Sequence, residues 1–287
     1  MILVTGAAGK TGKAVIRALA EKGIDVRALV YRSEQFKMVT ELGAKEVVLG
    51  DMRSLPDMIR AYSGIQAVYH IPPNVHPDEI IIGQTAIEAA RSTGIEHFVF
   101  HSVLHPQTES MPHHWKKLRV EELLFESGLK ITITQPAPYM QNILASRHSI
   151  IEDGRYPIPY PADTDLSMID LDDLAQVVAI ILTESGHASA TYELVGTDAM
   201  SQIDVADVLS ECTGRPVRIE VVPIAEWETN AREAGLKDYQ IETLIKMFHY
   251  YARHGLSGNP HVLRWLLSRS PTNFNYFAKR NFCTPTR

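Results

Sequence analysis

Short apolar runs and longer amphipathic stretches alternate along the first half of the chain. Ile2-Leu-Val-Thr5 is a strand-like run that breaks into glycines at positions 6, 9 and 12. Ala14, Val15, Ala18 and Leu19 then recur on one helical face, with Lys13, Arg17 and Glu21 outside it. The same phasing predicts strands over 25–31, 46–49, 65–71, 97–102 and 130–134. Between them it predicts helices over 35–42, 55–63, 78–93 and 112–127, with Gly43, Gly64, Gly94 and Gly128 at their exits and Pro112 in a first turn. Strand and helix in sustained alternation specify an α/β fold, a doubly wound parallel sheet of the Rossmann type.

The rhythm changes after Pro136. Pro138, Pro157, Pro159 and Pro161 punctuate a loop-rich stretch, and 167–169 is expected as a short strand. A helix over 170–183 and a strand over 191–195 are expected to return to the sheet. Ser201 caps a helix to about position 212, 217–222 reads as a strand, and the chain from Ile224 onward is mostly helical. The expected organisation is a dinucleotide-type domain over 1–150, with 170–195 rejoining it, and a smaller, mostly helical C-terminal substrate or cap region over the rest of 151–287.

Composition narrows the function. The 287 residues are 45% hydrophobic with a formal net charge of -6, which speaks against nucleic-acid contact. No apolar run reaches membrane-spanning length, and no signal peptide is expected before the first strand. Cys212 and Cys283 are the two cysteines, far apart in sequence, which fits a reducing cytoplasm. The histidines show no metal-ligand spacing, so no metal is expected.

A strand that runs through glycines into a helix cradles phosphate. Gly6 permits the tight turn, Gly9 lets the backbone approach a diphosphate, and Gly12 lets the helix pack closely; Lys10 and Thr11 lie in the same turn. The spacing is GxxGxxG, and an ordinary glycine-rich turn is the competing reading. The end of the second strand distinguishes the nicotinamide dinucleotides, because a carboxylate there binds a 2′-hydroxyl and an arginine a 2′-phosphate. Arg32 and Ser33 stand there, with no carboxylate before Glu34, so NADP(H) is preferred and NAD(H) remains possible. Asp51 and Met52 are expected beside the adenine, with Asp51 alternatively a helix N-cap.

Several segments together resemble the NmrA-like family of atypical short-chain dehydrogenases/reductases. They are Thr5-Gly-Ala-Ala-Gly-Lys-Thr-Gly12, Gly50-Asp51, Lys117-Leu-Arg-Val-Glu121, Ser127-Gly-Leu129 and Thr132-Ile-Thr-Gln-Pro-Ala137, with Tyr139-Met-Gln-Asn142, Ile169-Asp-Leu-Asp-Asp-Leu-Ala175 and Phe274-Asn-Tyr-Phe-Ala278. The resemblance implies dinucleotide binding and a variable C-terminal substrate region, in reductases of quinones, dyes and plant phenolics or in redox-sensing regulators. Ordinary short-chain dehydrogenases use Tyr-x-x-x-Lys; here His113 takes the tyrosine position and Lys117 the lysine. Histidine exchanges protons near neutral pH, so His113 is a candidate donor, with His114 and water as rivals.

Lys117 is expected to hold the nicotinamide ribose, or else to pair with Glu121 one turn on. Ser102, flanked by His101 and His105, is expected to orient by hydrogen bonding. Pro72 and Pro73 should line the ribose path. The loop of Pro136, Tyr139 and Asn142 should meet the nicotinamide end. Gln135 departs from the family's usual arginine. The expected function is an NADPH-dependent reductase of a small aromatic or conjugated electrophile. Its rivals are a dinucleotide sensor with a protein partner and, more remotely, an isomerase or epimerase. A homodimer is expected only from the family.

Overall fold

The computed structural model describes residues 1–283, which form two compact units. The first comprises Met1–Glu109, His113–Pro136 and Leu174–Glu193. Its elements in chain order are β1 (Ile2–Val4), α1 (Lys10–Glu21), β2 (Val26–Val30), α2 (Phe36–Glu41), β3 (Glu46–Leu49), α3 (Leu55–Tyr62), β4 (Ala67–His70), α4 (Glu79–Thr93), β5 (His97–His101), α5 (Pro112–Phe125) and β6 (Ile131–Pro136). After β7 (Arg155–Ile158), which belongs to the second unit, come α6 (Leu171–Thr183) and β8 (Ala190–Leu194).

The sheet order is β3-β2-β1-β4-β5-β6-β8, with β1 to β6 paired in parallel. The order reverses between β1 and β4, so their carboxyl ends form the topological switch point where ligands of such sheets bind. Alternate side chains line opposite faces. Leu3, Val68, Phe98, Phe100, Ile131 and Ile133 pack against Met58, Ala86, Ala90, Val120 and Leu124 of α3, α4 and α5. At Gly83 on α4 a Cβ would lie 2.7 Å from the Val120 side chain, so glycine permits close approach of α4 to α5.

The second unit contains β7 and, after β8, α7 (Gln202–Thr213), β9 (Arg218–Val221), α8 (Ile224–Glu233), α9 (Asp238–His254), α10 (His261–Leu267) and α11 (Phe274–Phe282). β7 and β9 form a two-stranded parallel ribbon. The expected loop over 136–161 thus contains a strand, together with a 3-10 helix over Met140–Ser146 and a π-helical turn over Ser149–Asp153. The short strand expected over 167–169 is absent, replaced by single bridges of Leu166 to Met200 and Leu256 and of Ile169 to Tyr139.

Packing places two boundaries elsewhere than the sequence reading. Residues 137–150 join the second unit, because Met140, Ile143 and Ile150 share its core with Phe274 and Phe277. The returning segment starts at Leu174 because the fully buried Asp170 and Asp173 are held by Arg280 and Arg269 of the second unit. Among the described residues, no helix is long and apolar enough to cross a membrane.

Candidate functional site

The glycine turn closes β1 and opens α1. Gly6 adopts φ 57°, and a Cβ there would sit 2.7 Å from the Ile71 carbonyl oxygen. A Cβ at Gly12 would lie 2.4 Å from the Gly6 oxygen, and one at Gly9 3.2 Å from the same atom. The Gly9 N–H donates to the Gly6 carbonyl at 2.9 Å. No side chain caps α1 and no acidic residue stands in its first turn, so its own residues leave the N-terminal dipole uncompensated. Thr5 laces the turn to the end of β4. Its hydroxyl accepts from the Ile71 N–H at 2.8 Å and lies 3.2 Å from His70 Nδ1. Pro72 and Pro73 follow directly. This cradle, which added side chains would fill, fits a diphosphate on the helix terminus.

At the end of β2, Arg32 and Ser33 are exposed. The Gln35 side-chain oxygen accepts from the Tyr31 and Arg32 N–H groups at 3.2 and 3.0 Å, fixing the backbone that presents them. At the end of β3, Asp51 is not a helix cap; Ser54 caps α3 instead. The Asp51 carboxylate accepts from the backbone and guanidinium of Arg53, and these bonds hold it below the usual carboxylate range. Arg53 also reaches Asp78 at 3.5 Å. Met52 is half-buried against the core.

The first two turns of α5 face the ends of β4 and β5 with a buried polar cluster. Lys117 Nζ donates to Glu79 Oε1 at 2.8 Å and to the His101 carbonyl at 3.3 Å, above the Phe100 ring. Its partner is therefore Glu79 of α4, which lies 38 residues earlier in the chain, not Glu121. The Glu121 carboxylate accepts from the Ser102 hydroxyl and, at 3.0 Å to each oxygen, from Gln135 Nε2. Burial raises the Glu121 pKa, against those hydrogen bonds. Ser102 thus orients a carboxylate, as a hydrogen-bond donor would. Gln135 meets that carboxylate with its side-chain amide.

His113 is buried, edge-on to His114 at 4.5 Å between ring centres, and its Nδ1 has no protein partner. Burial, reinforced by His114 and Lys117, lowers its pKa to about 3. Burial likewise lowers His114 to about 4, and His70 and His101 to about 3. At neutral pH all four imidazoles are uncharged.

The structure therefore gathers Gly6, Gly9, Lys10, Thr11, Gly12, Arg32, Ser33, Asp51, Met52, Pro72, Pro73, Ser102, His113, Lys117 and Pro136 in the first unit. Tyr139, half-buried, and Asn142, exposed, belong to the second. Sequence reasoning missed Glu79 as a partner of Lys117, because the pair depends on the packing of α4 against α5. Among the described residues no cluster of His, Cys, Asp and Glu could hold a metal ion.

The model of the NmrA-like family matches residues 1–276. An NAD(P)H azoreductase of Xenophilus azovorans is 28% identical over 280 residues, covering 97% of each chain. The structure is similar to the NADPH-dependent quinone oxidoreductase QOR2 of Escherichia coli complexed with NADPH, with a TM-score of 0.85, 23% identity and 98% and 99% of the two chains covered. It is also similar to NmrA, a negative transcriptional regulator in complex with NADP, with a TM-score of 0.81, 18% identity and coverage of 98% and 94%.

Proposed function

The chain belongs to the NmrA-like family, and on that premise we propose that it is an NADPH-dependent reductase passing hydride to a quinone, azo dye or related conjugated electrophile. The observation that carries this reading is the glycine cradle in front of an uncapped helix at the switch point of the sheet. Gly6, Gly9, Lys10, Thr11 and Gly12 hold the diphosphate, and Arg32 with Ser33 takes the 2′-phosphate. Asp51 and Met52 flank the adenine, and Pro72 and Pro73 line the path of the second ribose. Lys117 spends two of its N–H groups on Glu79 and His101, and offers the third to that ribose. Pro136 belongs to the nicotinamide end.

When bound, the reduced nicotinamide supplies the hydride. The chain's residues position it. The proton that follows comes from His113 or an ordered water. A cytoplasmic setting is part of the same proposal. A homodimer is a further part of the proposal.

Steady-state NADPH oxidation across quinones, azo dyes and phenolic enals tests the reading, with turnover expected for at least one class. Binding without oxidation of NADPH by any of them contradicts it. That result favours the second reading, a dinucleotide sensor, which the histidine at the usual tyrosine position and the likeness to a regulator support.

A further inference from the structure

Glu79 is an acidic residue in the first turn of α4 and is 1% exposed. Its carboxylate contacts Lys117 Nζ at 2.8 Å, and Lys117 itself is 8% exposed. A buried ion pair is a poor device for stability, because desolvating two charges offsets most of their attraction and apolar replacements commonly serve as well. The geometry around Nζ points to another purpose. Two acceptors from different elements, the Glu79 carboxylate and the His101 carbonyl of β5, grip the ammonium while its stem rises from α5. An ammonium has three N–H donors, so one remains for an outside acceptor.

Among the described residues, no other group supplies a counter-charge in contact with Lys117. His70 of β4, His101 of β5 and His113 and His114 of α5 are buried and neutral. Glu121 on its own helix is engaged by Ser102 and Gln135. Among the described residues, Glu79 is the carboxylate within ion-pair distance of Lys117.

We propose that Glu79 is a positioning residue that fixes the Lys117 ammonium so that its third N–H meets a hydroxyl of the nicotinamide-side ribose. This rests on the reading of the site given above. Glu79 acts only through Lys117 and touches no part of the nucleotide.

Calorimetric titration of the full-length chain with NADP+ and with adenosine 2′,5′-bisphosphate tests the proposal. The second ligand ends before the second ribose, so it reports the adenosine half of the site alone. Lys117→Met is expected to weaken NADP+ binding by about tenfold to a hundredfold, the worth of one charge-assisted hydrogen bond. Glu79→Ala should lose nearly as much, and the double variant no more than Lys117→Met alone. Glu79→Gln, which keeps an acceptor without the charge, should lose about threefold to tenfold and guards against misfolding of the alanine variant.

All variants should bind adenosine 2′,5′-bisphosphate as the parent does. Unchanged NADP+ affinity in the Glu79 variants overturns the proposal. So does an additive loss in the double variant, or a parallel loss of both ligands with a lowered melting temperature, which marks a merely structural pair. A parent chain that binds neither ligand instead refutes the functional reading itself.

Discussion

Replacing Gly6 by alanine probes the cradle where backbone approaches backbone. Two costs are readable from the structure. An alanine at φ 57° sits in the left-handed region, which costs about 1–2 kcal/mol. Its Cβ would also lie 2.7 Å from the Ile71 carbonyl oxygen, and ordinary contact begins at 3.4 Å, so β1 and β4 must part by several tenths of an ångström at the switch point. Overpacking of that kind costs roughly 1–3 kcal/mol. The sum is about 2–5 kcal/mol, a large share of a stability of about 5–15 kcal/mol.

Gly94→Ala is the matched control. Gly94 has φ 68° and nothing within 4 Å of its would-be Cβ, so it carries only the first cost. Differential scanning calorimetry should find a melting temperature lowered by roughly 2–6 °C for Gly94→Ala and by about 5–15 °C for Gly6→Ala. Because Gly6 lies in the cradle and Gly94 caps the far end of α4, nucleotide affinity should fall only in Gly6→Ala. Equal losses in the two variants, or an undiminished affinity in Gly6→Ala, would refute the argument that the close approach builds the site.

Arg32→Ala should weaken NADPH binding by about tenfold to a hundredfold while leaving NADH unchanged, which parallel fluorescence titrations read directly. A pH effect also follows from the buried histidines. In the folded chain His70, His101 and His113 have pKa values of about 3, against an ordinary value of 6.5, so below that value the unfolded chain binds protons that the folded chain refuses. Stability is therefore complete above about pH 6.5 and falls as the pH drops towards about 3, each histidine adding at most about 1.4 kcal/mol per pH unit. Urea melts across that window should show the slope, and His113→Gln should reduce it by one proton; an identical slope contradicts the buried neutral state.

Much of the first unit is legible in the sequence because most strands there end in a glycine, proline or polar turn and helices such as α1 and α3 keep one apolar face. The strand over 46–49 coincides with β3, and the helix expected over 112–127 with α5 to within its frayed end. β7 escapes because Arg155-Tyr-Pro-Ile158 carries a proline and has one partner, β9, some sixty residues later. The chemistry divides in the same way. The glycine turn and Arg32 are local features, visible as spacing. Glu79 looks like any charge in a first helical turn, and only the packing of α4 beside α5 buries it against Lys117. The neutrality of His113 is equally invisible, because a HxxxK spacing carries no information about desolvation.

The most direct measurement is calorimetric titration of the purified chain with NADPH and, separately, NADH. A saturable isotherm for NADPH, tighter than that for NADH, is the predicted result. No association of either nucleotide at millimolar concentration would contradict the claim that the turn after β1 grips a diphosphate.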